Sequence, residues 1–339
     1  MIRDSLKKIV LRQDLDEAEM SSVMSEIMSG EATDSQIGAF MGALATKGET
    51  FSELAGAARA MRRKATRIQV TADTVVDTCG TGGDRSHTFN ISTTAAFIVA
   101  GCGVTVAKHG NRSVSSRCGS ADLLEALGVR LDVPPEGVEE AVGEVGIGFL
   151  FAQIFHGAMR YAAKARKEVG IRSIFNMLGP LTNPAGANCQ LLGVYAPELT
   201  EVFADALRLL GARRAMIVHG HDGLDEITVC APTRITELKD GLTRTYEVTP
   251  EQLLGRRAER GDIGGGGPEE NARITRSVLD GKPGPCRDVS VLNAAAALMA
   301  AGVADGFADG IRRAEASIDS GAARGKLDAL VRFTCGYRS

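Results

Sequence analysis

Apolar residues recur at helical spacing through about the first 66 residues of the chain. One such stripe consists of Met20, Val23, Met24, Ile27 and Met28. Methionine side chains are adaptable enough for a docking surface, but burial in a helical core is the simpler interpretation. The pairs Thr33/Gln36 and Thr50/Glu53 have the spacing of capping boxes, and each precedes another apolar stripe. We therefore predict a small all-helical N-terminal domain over residues 1–68.

From about residue 70 onward, short apolar runs alternate with helical stripes. The predicted strands include 74–78, 104–107, 147–151 and 215–218, and the predicted helices include 92–100 and 121–127. Strands that alternate with helices indicate an α/β fold, in which a mostly parallel central sheet is flanked by helices. We predict this larger domain over residues 69–339, with ligands bound at the carboxyl ends of the strands.

Composition and charge narrow the possible partners. The 339 residues carry a net charge of −3, with 44% hydrophobic and 24% charged residues. This charge gives no electrostatic reason to expect nucleic acid or an anionic membrane, so any anion must be bound by a local site. No apolar run approaches a membrane span in length, and residues 1–30 lack the apolar block of a signal peptide. The seven cysteines are scattered without a Cys-x-x-Cys pair, which favours free thiols in a reducing, cytoplasmic setting.

The first candidate site is DTCGTGGDRSHTFNIST, residues 77–93, which overlaps the end of a predicted strand. It has neither the lysine of a P-loop nor the Gly-x-Gly-x-x-Gly spacing of a dinucleotide site. Glycines let backbone N–H groups approach a ligand, but Asp84 would repel a bare phosphate. The carboxylate is consistent with a phosphate that arrives with a divalent cation, or with a contact to a sugar hydroxyl or to developing positive charge. Further polar groups at the next helix start come from Asn90, Ser92 and Thr93.

Basic and hydroxyl side chains dominate a second segment, KHGNRSVSSRCGSAD, at residues 108–122. Lys108 and Arg112 supply positive charge, and Gly110 and Gly119 permit close approach of a ligand. The hydroxyl groups come from Ser115, Ser116 and Ser120. This combination after a predicted strand suits a phosphate monoester or a pyrophosphate.

Two adjacent carboxylates follow another predicted strand in HGHDGLDEI, residues 219–227. Adjacent acids are usually surface charge, but Asp225 and Glu226 at a strand end are candidates for a hard cation such as magnesium. His219 and His221 have no cysteine or third histidine nearby and are not predicted to bind zinc. The three segments together describe a site for a magnesium-bound phosphorylated sugar. They contain no catalytic triad and no activated cysteine, which favours catalysis by positioning and leaving-group stabilisation.

Two further segments are less informative. Arg166 and Arg172, in the turn-rich stretch 166–185, are available for a carboxylate or a phosphate. The glycine run 264–267 resembles a phosphate loop, but residues 268–270 start a helix with acids in its first turn, which repel anions. We therefore expect residues 264–267 to form a flexible connector.

The order of these motifs resembles that of the anthranilate phosphoribosyltransferase family. The matching segments are GTGGD (80–84), NIST (90–93), KHGNR (108–112), GSAD (119–122), FN (175–176), GPLTNP (179–184) and DE (225–226). The resemblance runs from about residue 10 to residue 305. It implies a glycosyltransferase, specifically a pentosyltransferase, of tryptophan biosynthesis. Such an enzyme transfers the 5-phosphoribosyl group from phosphoribosyl pyrophosphate to the amine of anthranilate and releases pyrophosphate.

The resemblance also implies a helical N-terminal domain beside an α/β domain, Mg²⁺ as the cofactor, and a homodimer formed through the helical domain. Asp84 and Lys108 are expected to be catalytic. Phosphoribosyl pyrophosphate is expected to contact Gly80, Gly83, Asp84, Thr88, Asn90, Ile91, Ser92, Thr93, Lys108, His109, Gly110, Asn111, Arg112, Ser113, Val114, Ser115, Ser116 and Ser120. Anthranilate is expected to contact Gly80, Asn111 and Arg166, with Arg166 binding its carboxylate. Mg²⁺ is expected at Ser92, Asp225 and Glu226.

The chain departs from the family pattern at a few positions outside the signature. Arg85 and His87 stand where the family often has small residues, and Gly157 replaces a common proline. Two alternative functions stay open, a pyrimidine nucleoside phosphorylase and a non-catalytic relative that binds nucleic acid. The first leaves the Asp225–Glu226 pair without an evident purpose, and the second predicts a basic surface that a net charge of −3 does not suggest.

Overall fold

The N-terminal region is helical in the computed structural model, which describes residues 1–84, 86–113 and 117–338. Its helices are α1 (Ile2–Val10), α2 (Glu17–Met28), α3 (Asp34–Lys47) and α4 (Phe51–Lys64). Both predicted capping boxes form. The hydroxyls of Thr33 and Thr50 accept the backbone N–H groups of Gln36 and Glu53, whose side chains in turn accept the backbone N–H groups of the two threonines. The methionine-rich stripe on α2 is buried, so it belongs to the core.

The central sheet has seven strands within the described residues, in the spatial order β3-β2-β1-β4-β5-β6-β7. They are β1 (Val75–Gly80), β2 (Thr105–Gly110), β3 (Ile147–Phe151), β4 (Cys189–Gly193), β5 (Arg214–Gly220), β6 (Thr233–Lys239) and β7 (Leu242–Val248). The first five strands are parallel, and β6 and β7 extend one edge as an antiparallel hairpin. The predicted α/β class with a mostly parallel sheet is confirmed.

Helices cover both faces of the sheet. After β1 they are α5 (Ile91–Gly101), α6 (Ser120–Ala126), α7 (Pro135–Val145), α8 (Ala152–Phe155), α9 (Arg160–Val169), α10 (Ile174–Met177), α11 (Leu199–Leu209), α12 (Pro250–Leu254), α13 (Pro268–Leu279), α14 (Pro285–Ala300), α15 (Phe307–Asp319) and α16 (Ala322–Gly336). One core joins the sheet to α5, α13 and α14, and another joins it to the N-terminal helices through α9 and α11. Among the described residues, no helix combines the length and the apolar character needed to cross a membrane.

Two strands continue beyond their apolar patterns, and both extend toward the candidate site. β1 runs to Gly80 rather than to residue 78, because its last residues pair with β4. β2 runs to Gly110 rather than to residue 107, because residues 108–110 pair with β3. Backbone pairing does not depend on side-chain polarity, so the hydrophobic pattern misses these ends. The polar residues Lys108 and His109 are therefore held by the sheet itself.

Candidate active site

The end of β1 lies against Asp225, in the loop that follows β5. Within the glycine loop, residues 80–84, Gly82 donates its backbone N–H to Asp225 Oδ2 over 2.9 Å. A Cβ at Gly80 would lie 2.5 Å from that oxygen. A Cβ at Gly193, the last residue of β4, would lie 1.5 Å from the Asp225 carbonyl oxygen. Both positions therefore require glycine, which lets Asp225 reach the glycine loop.

The side chain of Glu226 contacts the start of α5. Its Oε1 accepts the Ser92 N–H over 3.1 Å. Lys108 reaches the same place from β2, since its ammonium donates to the Thr78 carbonyl and lies 3.4 Å from Ser92 Oγ. Three predicted metal ligands, Ser92, Asp225 and Glu226, thus form one cluster with the buried ammonium beside it.

Negative charge exceeds positive charge in this cluster. Burial raises the pKa of Asp225 to about 7, and repulsion from Asp84 adds to the shift. Burial also raises the pKa of Glu226, with a further contribution from Asp225. Burial lowers the pKa of Lys108 against the attraction of nearby carboxylates, and one ammonium balances only part of their charge. A bound cation would relieve the repulsion between the carboxylates.

The donor set of this cluster fits a magnesium ion that arrives with its substrate. No group of three or more His, Cys, Asp or Glu side chains could hold a metal ion within residues 1–84, 86–113 and 117–338. The protein offers the carboxylates of Asp225 and Glu226 and the Ser92 hydroxyl instead of a complete cage. Mg²⁺ is usually held by one or two carboxylates, while water and substrate phosphates fill its other positions.

Asp77 is a buried carboxylate on β1 that the sequence patterns did not identify. It accepts the His109 N–H over 3.1 Å and the Asn183 side-chain amide over 2.8 Å. Asn183 also donates to the Ala107 carbonyl over 2.7 Å, which ties the ends of β1 and β2 to the segment after α10. Burial raises the pKa of Asp77 to about 6. The signal that could have found it is a charged residue inside an otherwise apolar strand.

The loop after β2 is organised around Asp122 on α6. Its carboxylate accepts the backbone N–H groups of Ser113 over 3.1 Å and Gly119 over 2.8 Å. Arg112 pairs with Asp122 over 3.0 Å and with Glu125 over 2.6 Å. Hydrogen bonds to Glu125 and Asp122 raise the pKa of Arg112. The predicted phosphate ligand Arg112 is therefore already paired with acids of α6.

The other predicted substrate contacts differ in their present partners. Ser120 Oγ donates to the Asn111 carbonyl over 3.3 Å. Ile91 is buried in the core, and Thr93 Oγ1 is buried without a hydrogen-bond partner among the described residues. Outside the described residues lie Arg85, Val114, Ser115 and Ser116. His87 is exposed, and Gly157 begins a short 3₁₀ turn.

The glycine run 264–267 packs against the segment that follows the glycine loop, so the expectation of a flexible connector is wrong. Gly264 forms an isolated antiparallel bridge with Thr88, and Gly265 donates to the His87 carbonyl over 2.9 Å. A Cβ at Gly265 would lie 2.5 Å from the backbone nitrogen of Phe89. The contact joins residues that are distant in the chain, which a local pattern cannot reveal.

Two neutral histidines lie side by side near the end of β2. His109 Nδ1 is 3.1 Å from the Gly179 carbonyl oxygen, and the ring centroids of His109 and His156 are 5.0 Å apart. Burial lowers the pKa of His109 to about 3 and that of His156 to about 4. The Nε2 atoms of both rings are buried and lack a hydrogen-bond partner in the part of the chain that the structure describes.

The two candidate arginines of residues 166–185 have different surroundings. Arg166, on α9, lies over the ring of Phe175 at 5.4 Å from its centroid, and burial alone lowers its pKa, with no described acid opposing the shift. Arg172 stacks on Tyr195 at 3.6 Å from the ring centroid and donates to the Gly83 carbonyl over 2.7 Å. Arg166 is thus available for a ligand carboxylate, whereas Arg172 contacts Tyr195 and the glycine loop.

Comparisons with known proteins agree with these features. Residues 3–65 match the helical bundle domain of a glycosyl transferase family, and residues 72–324 match the a/b domain. Anthranilate phosphoribosyltransferase from Syntrophobacter fumaroxidans is 76% identical over 334 residues, which cover 98% of this chain and 99% of that protein. The chain belongs to the anthranilate phosphoribosyltransferase family. The anthranilate phosphoribosyltransferase from Moorella thermoacetica is 58% identical, with 98% of each chain covered.

Solved anthranilate phosphoribosyltransferase structures share the fold of this chain. The enzyme from Thermus thermophilus aligns with a TM-score of 0.93 and 45% identity over 98% of this chain and 99% of its own. The Saccharomyces cerevisiae enzyme in complex with phosphoribosyl pyrophosphate and Mg aligns with a TM-score of 0.90 and 29% identity, covering 99% of this chain and 98% of its own. The chain is thus a glycosyltransferase of tryptophan biosynthesis that transfers the phosphoribosyl group to anthranilate, and neither alternative function is retained.

Proposed function

We propose that phosphoribosyl pyrophosphate binds across the carboxyl ends of β1, β2 and β5, and that anthranilate binds beside Arg166. One observation carries this proposal, namely the convergence of the glycine loop, the start of α5 and Lys108 on Asp225 and Glu226. Glycine backbones and helix starts suit phosphate, and paired carboxylates suit the cation that accompanies a pyrophosphate.

Ser92, Asp225 and Glu226 would hold Mg²⁺ in this arrangement. The complex of the S. cerevisiae enzyme with phosphoribosyl pyrophosphate and Mg supports the choice of metal. When bound, Mg²⁺ supplies positive charge that stabilises the departing pyrophosphate. Because burial raises the pKa values of both acids, cation binding near neutral pH displaces protons from them.

The remaining pyrophosphate contacts come from the glycine loop and from the loop after β2. In the latter loop, Arg112 reaches the substrate by exchanging Glu125 for a phosphate oxygen. The Arg112–Glu125 pair is half exposed, and exposed ion pairs contribute little to stability, so this exchange costs little. Asp122 keeps its backbone contacts to Ser113 and Gly119 and preserves the loop during the exchange.

Transfer at the anomeric carbon forms a C–N bond to anthranilate while the C–O bond to pyrophosphate breaks. Positive charge develops on the ribose, and Asp84, a carboxylate of the glycine loop that also interacts with Asp225, stabilises it. Lys108 and the backbone N–H groups stabilise the negative charge of the leaving group. An aniline-type amine is nearly neutral at pH 7 and attacks without prior deprotonation, so no strong base is needed. The nitrogen then releases its extra proton to solvent.

Arg166 binds the anthranilate carboxylate, and Gly80 and Asn111 also contact anthranilate. The rings of His109 and His156 are neutral, so Arg166 is the charged side chain proposed to bind the carboxylate. A complex of the S. cerevisiae enzyme with 4-fluoroanthranilate is consistent with such a pocket in the family.

The proposal also includes a homodimer formed through the N-terminal helices. It further includes a cytoplasmic location and a domain division between residues 68 and 69. The large hydrophobic side chains of Val10 and Leu11 are 65% and 70% exposed at the end of α1, and Phe51 is exposed at the start of α4. Exposed apolar side chains at one end of a helical bundle support an interface there. Light scattering on a size-exclusion column should give the mass of a dimer, and a monomer would contradict this part of the proposal.

Anthranilate fluorescence tests the reaction directly. With purified protein, phosphoribosyl pyrophosphate and Mg²⁺, the fluorescence should decrease with time, and omission of any component or addition of a chelator should stop the decrease. A constant signal from folded protein with all components present would contradict the proposed reaction.

A further inference from the structure

We propose that Asn271 is a positioning residue that fixes Asn90 and thereby sets the spacing between the two phosphate-binding loops. The inference rests on the proposed function of those loops. The helix α13 begins directly after the glycine run 264–267. Asn271 lies in its first turn and is 1% exposed. Burial removes the amide of Asn271 from water, so its polar atoms must find hydrogen-bond partners within the protein.

Asn271 lies in the middle of a chain of hydrogen bonds. The Gly266 N–H donates to Asn271 Oδ1 over 2.8 Å, and Asn271 Nδ2 donates to Asn90 Oδ1 over 3.0 Å. Asn90 Nδ2 then donates to the Cys118 carbonyl over 3.1 Å. A backbone N–H can only donate and a carbonyl can only accept, so the two ends impose one orientation on both amides.

The chain of hydrogen bonds joins three segments of the site. Gly266 belongs to the glycine run that pairs with residues 87–89. Asn90 precedes α5 and lies two residues before Ser92. Cys118 precedes the Gly119 turn of the loop after β2. A pyrophosphate that contacts both loops gains affinity when their spacing is fixed before it binds, because less ordering remains to be done on binding.

A second polar link between α5 and α13 provides a matched control. One helical turn along both helices, the hydroxyls of Thr94 and Thr275 are 3.0 Å apart and buried. Thr94 Oγ1 also donates to the backbone carbonyl of Asn90 over 3.1 Å, but no hydrogen bond of this pair involves the Asn90 side chain or Cys118. A change at Thr275 therefore reports the cost of losing a buried polar contact without a loss of loop positioning.

The experiment compares Asn271→Asp, Asn271→Ala and Thr275→Val in the anthranilate fluorescence assay, with thermal unfolding of each variant. Asn271→Asp keeps the volume and the acceptor for Gly266 but removes the donor to Asn90. We expect both Asn271 variants to raise the KM for phosphoribosyl pyrophosphate about tenfold, the effect of losing one buried hydrogen bond and the order it imposes. The KM for anthranilate should stay within about twofold, and Thr275→Val should leave both constants near those of the wild type.

A double-variant cycle separates action through Asn90 from a general loss of stability. In an Asn90→Ala background, Asn271→Ala should add little to the KM for phosphoribosyl pyrophosphate, because the residue it positions is gone. An undiminished effect in that background would overturn the proposal, as would an unchanged KM in Asn271→Asp or an equal increase in Thr275→Val. If Asn271→Ala does not fold, Asn271→Asp replaces it, and the KM for phosphoribosyl pyrophosphate is measured for this variant alone and in the Asn90→Ala background. Wild-type protein without turnover would contradict the proposed function itself, whereas normal wild-type turnover with unaffected variants contradicts only the role of Asn271.

Discussion

Carboxylates crowd together at the end of β5, whereas two uncharged histidines lie near the end of β2. Burial favours the neutral form of both kinds of group, since it raises the pKa of Asp225 to about 7 and lowers that of His109 to about 3. The carboxylates regain their charge when a cation compensates it, whereas no acid among the described residues raises the pKa of either histidine ring. Under the proposed function, the first end accepts a metal-bound pyrophosphate, and anthranilate binds near the second with its carboxylate on Arg166.

The largest effect is expected when the acidic end loses its charge. The double variant Asp225→Asn with Glu226→Gln keeps the shape of both side chains but should lower turnover by at least about a thousandfold, because it removes the cation ligands. The same change should raise the unfolding temperature of the metal-free protein, because it removes repulsion between buried carboxylates. Turnover assays and thermal unfolding in the presence of a chelator measure the two effects.

Asp222→Asn is the matched control for that variant. Asp222 lies in the same loop but accepts the Thr228 hydroxyl over 2.7 Å instead of facing the cluster. Its replacement should leave the Mg²⁺ dependence of turnover unchanged. A double variant that keeps wild-type turnover would remove Asp225 and Glu226 from the metal site.

A smaller effect is expected at the proposed anthranilate end, where Arg166 supplies the charge. Arg166→Ala should raise the KM for anthranilate about a hundredfold, the usual cost of losing a charge-assisted contact to a carboxylate, with little change in the KM for phosphoribosyl pyrophosphate. Arg160→Ala, on the same helix and stacked on Tyr161, should change neither constant. Equal increases of both constants in Arg166→Ala would argue against a role in binding the carboxylate.

The smallest effect concerns the protonation of the histidine pair. Burial lowers the pKa of His156 from about 6.5 in the unfolded chain to about 4 in the folded protein. The neutral ring therefore contributes to the free energy of unfolding above about pH 6.5, and this contribution is lost as the pH falls through about 4. Asp77 acts in the opposite direction, because its folded pKa is raised to about 6. The difference in stability between the wild type and His156→Leu therefore isolates the histidine term.

Proton NMR of the histidine rings gives the direct measurement. The signals of His109 and His156 should not shift with pH between about 5 and 8. A midpoint near the unperturbed histidine pKa in either ring would contradict the uncharged character of this end.

The strand–loop–helix units of the site could be predicted from sequence, because each depends on neighbouring residues. The apolar run before Gly80 and the hydroxyls after it lie in one local pattern, and so does the capping box at Thr33. The place of Asp225 and Glu226 could be predicted from a local pattern and one topological rule. The pair follows a predicted strand, and the carboxyl ends of parallel strands meet at one edge of a sheet.

Contacts between distant segments could not be predicted in this way. The pairing of Arg112 with Glu125 depends on how α6 is oriented, and the stacking of Arg172 on Tyr195 depends on two loops that meet only in the fold. The glycine run 264–267 has the composition of a connector, and only its pairing with Thr88 reveals that it supports the site.

Calorimetric titration tests most directly whether the acidic end accepts a cation with its substrate. Mg²⁺-bound phosphoribosyl pyrophosphate is titrated into the wild type and into the double variant Asp225→Asn with Glu226→Gln. The titration is done without anthranilate at about pH 6.5, in two buffers with different ionisation enthalpies. The wild type should bind with release of protons, because the pKa of Asp225 is about 7 before binding. The double variant should bind at least about tenfold more weakly and without that release. Equal affinity and equal proton release in the two proteins would contradict the assignment of the metal to this end of the site.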